Sequence, residues 1–157
     1  MKLLDKKLCI ITGASGEIGI ECAKLLHKNG AKLILIYHKN KKIINSFSKN
    51  KIGSVFSYKC DLTNLKQIKT LYNKINKKFS EINVLINCAG LMEQQNFFFD
   101  MNEKNLKKHL DLNTIGTISM VRTFSRNLIR NKNSSIVNIS SLSGNSGTVS
   151  LTNYATS

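Results

Sequence analysis

The sequence predicts an α/β domain built on a doubly wound parallel sheet. Two patterns carry this expectation: five short β-prone runs alternate with helix-like stretches, and a glycine-rich turn joins the first run to the first helix. Strands separated by helices form βαβ crossovers, which set neighbouring strands parallel and cover both faces of the sheet. With 157 residues and 41% hydrophobic side chains, the chain has enough for one core. Residues 1–157 are expected to be a single domain without repeat or linker.

Leu8-Cys9-Ile10-Ile11 is the first strand and runs into Thr12-Gly13. Between Gly16 and Asn29, apolar residues at Ile18, Cys22, Leu25 and Leu26 predict a helix buried on that face, with Gly30 as its left-handed cap. Leu33 to Tyr37 is unbroken and apolar, a second strand buried on both sides. Lys39 to Lys51 is polar and basic, a helix or a loop. The third strand is Val55-Phe56-Ser57-Tyr58, within Ser54 to Cys60. Leu65, Ile68, Tyr72, Ile75 and Phe79 then step by three and four, the stripe of an amphipathic helix. Asn83 to Asn87 is the fourth strand. A longer helix is expected from Asn102 or Glu103, with Leu106, Leu110, Met120, Phe124 and Leu128 inward, before a fifth strand from Ser135 to Ser140.

Lys and Arg number 24 against 9 Asp and Glu, a net charge of +15 that makes nucleic acid the first partner to weigh. Only Arg122, Arg126 and Arg130 are arginine, the usual bidentate reader of bases and phosphates. The lysines spread from Lys2 to Lys132 with no dense block, and over a third of the chain is Lys, Asn or Ile, as A/T-rich codons produce. The charge is therefore read as bias on a solvated surface, with no specific nucleic-acid partner. Cys9, Cys22, Cys60 and Cys88 form no CxxC pair, and His27, His38 and His109 lie far apart, so no metal site is expected. The thiols read as free and buried in a reducing cytoplasm. Asp5, Lys6 and Lys7 interrupt any leader, and Leu33 to Tyr37 is too short to span a bilayer. A cytoplasmic protein without a membrane partner is expected.

The turn reads Thr12-Gly13-Ala14-Ser15-Gly16-Glu17-Ile18-Gly19. Gly13 suits the tight bend, Gly16 lets backbone amides approach a pyrophosphate, and Gly19 lets the helix close on the sheet. Ser15, Glu17 and Ile18 supply further amides at the positive end of the helix, where phosphates bind. Between a first strand and a first helix this is a Rossmann-like dinucleotide motif. A ligand-free glycine turn is the other reading. The end of the second strand then selects the cofactor, an acidic residue suiting NAD and a basic one NADP. Tyr37-His38-Lys39-Asn40 stands there, and no Asp or Glu occurs between Glu21 and Asp61. NADP(H) is favoured over NAD(H). Lys39 is equally one more surface lysine, and His38 alone reads as structural sooner than as a ligand.

These residues and several later motifs resemble the short-chain dehydrogenase/reductase family, from about Leu8 to Ser157. Cys60-Asp61-Leu62-Thr63 is similar to the segment after the third strand, which implies Asp61 and Leu62 beside the adenine ring; a capping role for Asp61 is compatible with this. Asn87-Cys88-Ala89-Gly90 resembles the family's Asn-Asn-Ala-Gly segment, with Cys88 where asparagine is commoner, and implies cofactor contacts at Asn87, Ala89 and Gly90. Asn113, Ser141 and Tyr154 match the family's catalytic asparagine, serine and tyrosine. Asn113 also follows Leu106 and Leu110 at helical spacing, on the expected inward face, where an amide needs partners. The glycine spacing TGxxGxxG is typical of the longer epimerase branch, whereas the Ser141-to-Tyr154 separation suits the simple reductases. The second constrains the chemistry and carries more weight. Phe97-Phe98-Phe99 is read as core or subunit contact before an acyl channel.

The resemblance implies an NADP(H)-dependent oxidoreductase, most like the 3-oxoacyl-carrier-protein reductases, that reduces a small-molecule or acyl-carrier carbonyl to an alcohol. It implies Tyr154 as acid/base, Ser141 holding the carbonyl oxygen, Asn113 in a water relay, and a homo-oligomeric full-length parent. The family motif Tyr-x-x-x-Lys needs a lysine four positions after Tyr154, and the sequence ends at Ser157. An N-terminal fragment is expected, inactive alone, its fifth strand left as an open edge. A non-catalytic NAD(P)-binding sensor is the alternative.

Overall fold

The computed structural model describes residues 2–93 and 98–157. Strands β1 (Leu8–Thr12), β2 (Lys32–Tyr37), β3 (Val55–Lys59), β4 (Val84–Asn87) and β5 (Ser135–Asn138) form one parallel sheet in the order β3-β2-β1-β4-β5. Helix α1 (Glu17–Lys28) joins β1 to β2, α2 (Lys42–Ser48) joins β2 to β3, and α3 (Leu65–Asn76) joins β3 to β4. The last crossover is one long helical arm: α4 (Glu103–His109), a π-helical stretch Leu110–Gly116, and α5 (Thr117–Ile129). Two short helices, α6 (Ser143–Ser146) and α7 (Thr152–Thr156), follow β5.

The chain steps outward from β1 to β3 and then restarts on the other side of β1 with β4, so Thr12 and Asn87 end up in register. A reversal of this kind opens a crevice at the carboxyl ends of the two strands, the usual ligand position in a doubly wound sheet. The Rossmann-like expectation holds. Alternation along the strands divides the core in two. Ile10, Ile34, Ile36 and Leu85 face α3 and α5, while Cys9, Ile11, Leu33, Leu35 and Ile86 face α1 and α2.

Several helix faces differ from the sequence pattern. In α1 the buried residues are Gly19, Ile20 and Ala23, whereas Ile18 and Leu25 are 57% and 62% exposed. The cause is the close seat of the helix on the glycine turn. A Cβ on Gly19 would lie 2.4 Å from the Gly13 carbonyl oxygen, so the smallest side chains turn inward and rotate Ile18 out. In α3, Ile68, Leu71 and Ile75 are buried and Leu65 is exposed. Phe79 lies beyond the helix and packs edge-on against Phe56, ring centroids 5.0 Å apart.

Met120, Phe124 and Leu128 are buried as expected, but Leu106 and Leu110 are only half-buried, and His109 is buried in their place. The wider π turn shifts the helical register between the two halves of the arm. Cys9 and Cys60 are buried free thiols, whereas Cys22 and Cys88 are half-buried. Phe98 and Phe99 are 70% and 81% exposed, against the core reading of that aromatic run, because they sit in a short 3-10 turn outside both packed layers; Phe97 lies outside the described residues. Among the described residues, no helix is long and apolar enough to cross a membrane.

Candidate functional site

At the carboxyl ends of β1, β2 and β4 lies a cleft of ≈ 630 Å³, within the range of small-molecule sites. Ten of the residues expected to bind a cofactor line it: Gly13, Ser15 and Gly16 from the turn, Tyr37, His38 and Lys39 at the end of β2 and just beyond it, Asp61 and Leu62 after β3, and Ala89 and Gly90 after β4. Glu17, Ile18, Gly19 and Asn87 are not on its wall. Gly19 is packed on the turn, and Asn87 is buried with its Nδ2 donating to Asn138 Oδ1 at 2.9 Å.

Gly13 adopts φ +60, and a Cβ there would lie 2.7 Å from the backbone of Ala89, so the turn presses directly against the segment after β4. Thr12 ties the two together: its buried Oγ1 accepts from the amides of Cys88 and Ala89, each at 3.2 Å. Thr12 was not singled out from sequence, although a hydroxyl before the first glycine was the available signal. The first turn of α1 has no side-chain cap, its N-cap being Gly16. By contrast, Asn64 caps α3 and Asn102 caps α4 through their side chains. An uncapped helix N-terminus opening on a cleft leaves amide donors and positive dipole charge for an anion. The turn therefore fits the pyrophosphate of a dinucleotide.

The other end of the cleft is electrically mixed. Asp61 Oδ1 accepts from the Thr63 amide at 2.9 Å and from the Thr63 hydroxyl at 2.8 Å. Partial burial pushes its carboxyl up, but the Thr63 bonds and the charges of His38 and Lys39 outweigh this and hold it below its ordinary value. Burial pushes the thiol of Cys88, on the cleft wall, up to about 12 and that of Cys60 to about 11, so neither is a ready nucleophile near neutrality. Asn40, Leu91, Glu93, Lys108 and Leu112 also line the cleft. Sequence reading missed them because loops and the π-helical arm bring them in.

Asn113 sits in the middle of the π-helical stretch. Its Oδ1 accepts from the Leu91 amide at 2.8 Å, and its Nδ2 donates to the Leu91 carbonyl at 3.0 Å and to Ser157 Oγ at 2.8 Å. Thr114 Oγ1 donates to the Ser157 carbonyl at 2.7 Å. One amide side chain thus joins the cleft wall to the end of α7, the helix that carries Tyr154. Ser141 precedes α6, where its Oγ accepts from the Ser143 amide at 3.2 Å, and α7 packs against both α6 and α4. Asn113, Ser141 and Tyr154 do not line the cleft itself. They lie on the elements that follow it.

The family model described as short chain dehydrogenase matches residues 7–157. An uncharacterized oxidoreductase of Saccharomyces cerevisiae is 32% identical over 148 residues, covering 94% of this chain and 47% of the yeast protein. The 3-oxoacyl-[acyl-carrier-protein] reductase FabG of Thermotoga maritima is 31% identical over 156 residues, covering 98% of this chain and 63% of that protein. The aldohexose dehydrogenase of Thermoplasma acidophilum superimposes with a TM-score of 0.85 at 28% identity, over 99% of this chain and 57% of that one. A short chain dehydrogenase from Shigella flexneri gives 0.90 at 21% identity, over 99% and 63%, and supports the fold. The chain spans about half to two-thirds of the length of the proteins it matches.

Proposed function

The chain belongs to the short chain dehydrogenase family, and on that premise we propose that the whole protein is an NADP(H)-dependent reductase of a ketone or 3-oxoacyl carbonyl. One observation carries the reading: the uncapped N-terminus of α1 and its glycine turn adjoin a cleft that Asp61 and Gly90 also line. Ser15 and Gly16, where the turn reaches the cleft, would seat the pyrophosphate at the N-terminal end of α1. Asp61 and Leu62 would flank the adenine, with Asn87, Ala89 and Gly90 along the base of the site. Lys39 would take the 2′-phosphate, which favours NADP(H) over NAD(H).

A nicotinamide held in this cleft would supply the hydride for the carbonyl carbon. Tyr154 donates a proton to the carbonyl oxygen as it becomes an alkoxide. Ser141 donates a hydrogen bond to the same oxygen and fixes its direction. Asn113 orients the end of α7 and a water through which the proton is replaced. Similarity to a 3-oxoacyl-[acyl-carrier-protein] reductase supports the acyl substrate class.

Replacing Tyr154 by Phe in the whole protein tests this directly. NADPH oxidation with an acetoacetyl thioester should fall roughly a hundredfold or more, with nucleotide affinity by calorimetry unchanged. Unaltered turnover would remove Tyr154 from the chemistry. Cofactor binding with no carbonyl reduction by the whole unmodified protein would favour a sensor module.

A further inference from the structure

Helix α7 carries Tyr154 and has little of its own to hold it in place. It is five residues long, and its N-cap, Leu151, supplies no side-chain bond. Helices this short are marginal unless neighbouring elements fix them, and α6, packed beside it, has only four residues. The firm attachment is at the far end, on Ser157. Thr114 Oγ1 donates to the Ser157 carbonyl at 2.7 Å, and Asn113 Nδ2 donates to Ser157 Oγ at 2.8 Å. Ser157 passes the hold on, since its Oγ and its amide both donate to the Tyr154 carbonyl, at 3.0 and 3.2 Å. Resting on the reading of Tyr154 as proton donor, we infer that Thr114 is a positioning residue whose hydroxyl sets where Tyr154 stands relative to the cleft.

A threonine hydroxyl in a helix ordinarily bonds a carbonyl of its own preceding turn. Thr70 and Thr156 do so, donating to the carbonyls of Lys66 and Thr152. Thr114 lies in the π-helical stretch Leu110–Gly116, and its hydroxyl leaves that stretch for an element 43 positions further along the chain.

The two anchors grip different atoms of Ser157. Asn113 reaches a side-chain oxygen that turns about its own bond, whereas Thr114 reaches a main-chain carbonyl and so fixes the helix backbone. The stretch from which Thr114 reaches out is itself fixed. The Asn113 amide is bonded through both of its polar atoms to the backbone of Leu91, a residue on the cleft wall. Thr114 is not on that wall, so it acts through α7. Displacing a reacting group by about 1 Å can cost on the order of a hundredfold in rate, and loss of one tether of two is expected to cost roughly tenfold.

The test is a mutant cycle in the whole protein. Thr114→Val, Thr114→Ala and Thr114→Ser are each made alone and beside Tyr154→Phe, then assayed for NADPH oxidation with an acetoacetyl thioester and for NADPH affinity by calorimetry. Thr114→Val and Thr114→Ala, which both lack the hydroxyl, should lower kcat roughly tenfold with nucleotide affinity unchanged, and Thr114→Ser should restore it. Added to Tyr154→Phe, neither should cost anything further, because a residue acting through Tyr154 then has nothing left to position. Unchanged turnover in Thr114→Ala, or no rescue by Thr114→Ser, would overturn the inference. So would an equal further loss beside Tyr154→Phe, or a parallel loss of nucleotide affinity, either of which marks a merely structural contact. Full turnover by Tyr154→Phe alone would instead overturn the reading on which the inference rests.

Discussion

A Cβ added to Gly19 would lie 2.4 Å from the Gly13 carbonyl oxygen and 2.9 Å from Ala14 Cα, both backbone atoms that cannot swing aside. Gly19→Ala is therefore expected to cost about 1–3 kcal/mol of stability and to weaken nucleotide binding by moving the first turn of α1. Gly144→Ala, whose nearest contact would be the Ala155 carbonyl at 3.8 Å, serves as a control within about 0.5 kcal/mol. Urea denaturation of the two variants separates these outcomes. Asp61 gives a pH-dependent prediction. Its folded pKa lies below the ordinary 3.8, so its Thr63 bonds contribute stability that is fully present above that value. That contribution is lost as pH falls through the lower folded value. Denaturation midpoints of unmodified protein and Asp61→Asn should differ at neutral pH and converge in acid. A constant gap would contradict the assignment. Gly19 was legible because a missing side chain marks a close approach. The Asp61–Thr63 bonds and the nearby His38 depend on where the loop after β3 comes to rest.

Among the helices, the start of α3 and the start of α1 are built oppositely. Asn64 Oδ1 accepts from the amides of Lys66 and Gln67, at 3.0 and 3.1 Å, and closes α3. Asn64→Ala should lower stability by about 1 kcal/mol without changing nucleotide affinity, as chemical denaturation and calorimetry would show. An equal loss of affinity would mean that α3 is coupled to the cleft. The stripe of α3 was readable because Ile68 and Ile75 repeat at helical spacing, yet Leu71 took the place expected of Leu65. The arm from α4 to α5 was readable as a helix, but not its π-helical interruption. No residue type encodes an added backbone residue per turn. That interruption puts Asn113 against Leu91 and Ser157 rather than in a regular core stripe.

At the scale of the sheet, β1 and β2 are well covered within residues 1–157, and β5 is exposed. Every residue of β5 is exposed, including Ile136 and Val137, and Ile139 follows them at the surface. The alternation of strands and helices and the glycine turn were determined by sequence alone, because periodicity and residue type are local properties. Only the tertiary structure decided which face of α1 turns inward, that Thr12 ties the turn to the segment after β4, and that His38 meets Asp61. Each of these depends on how closely two distant segments approach, which no local pattern records.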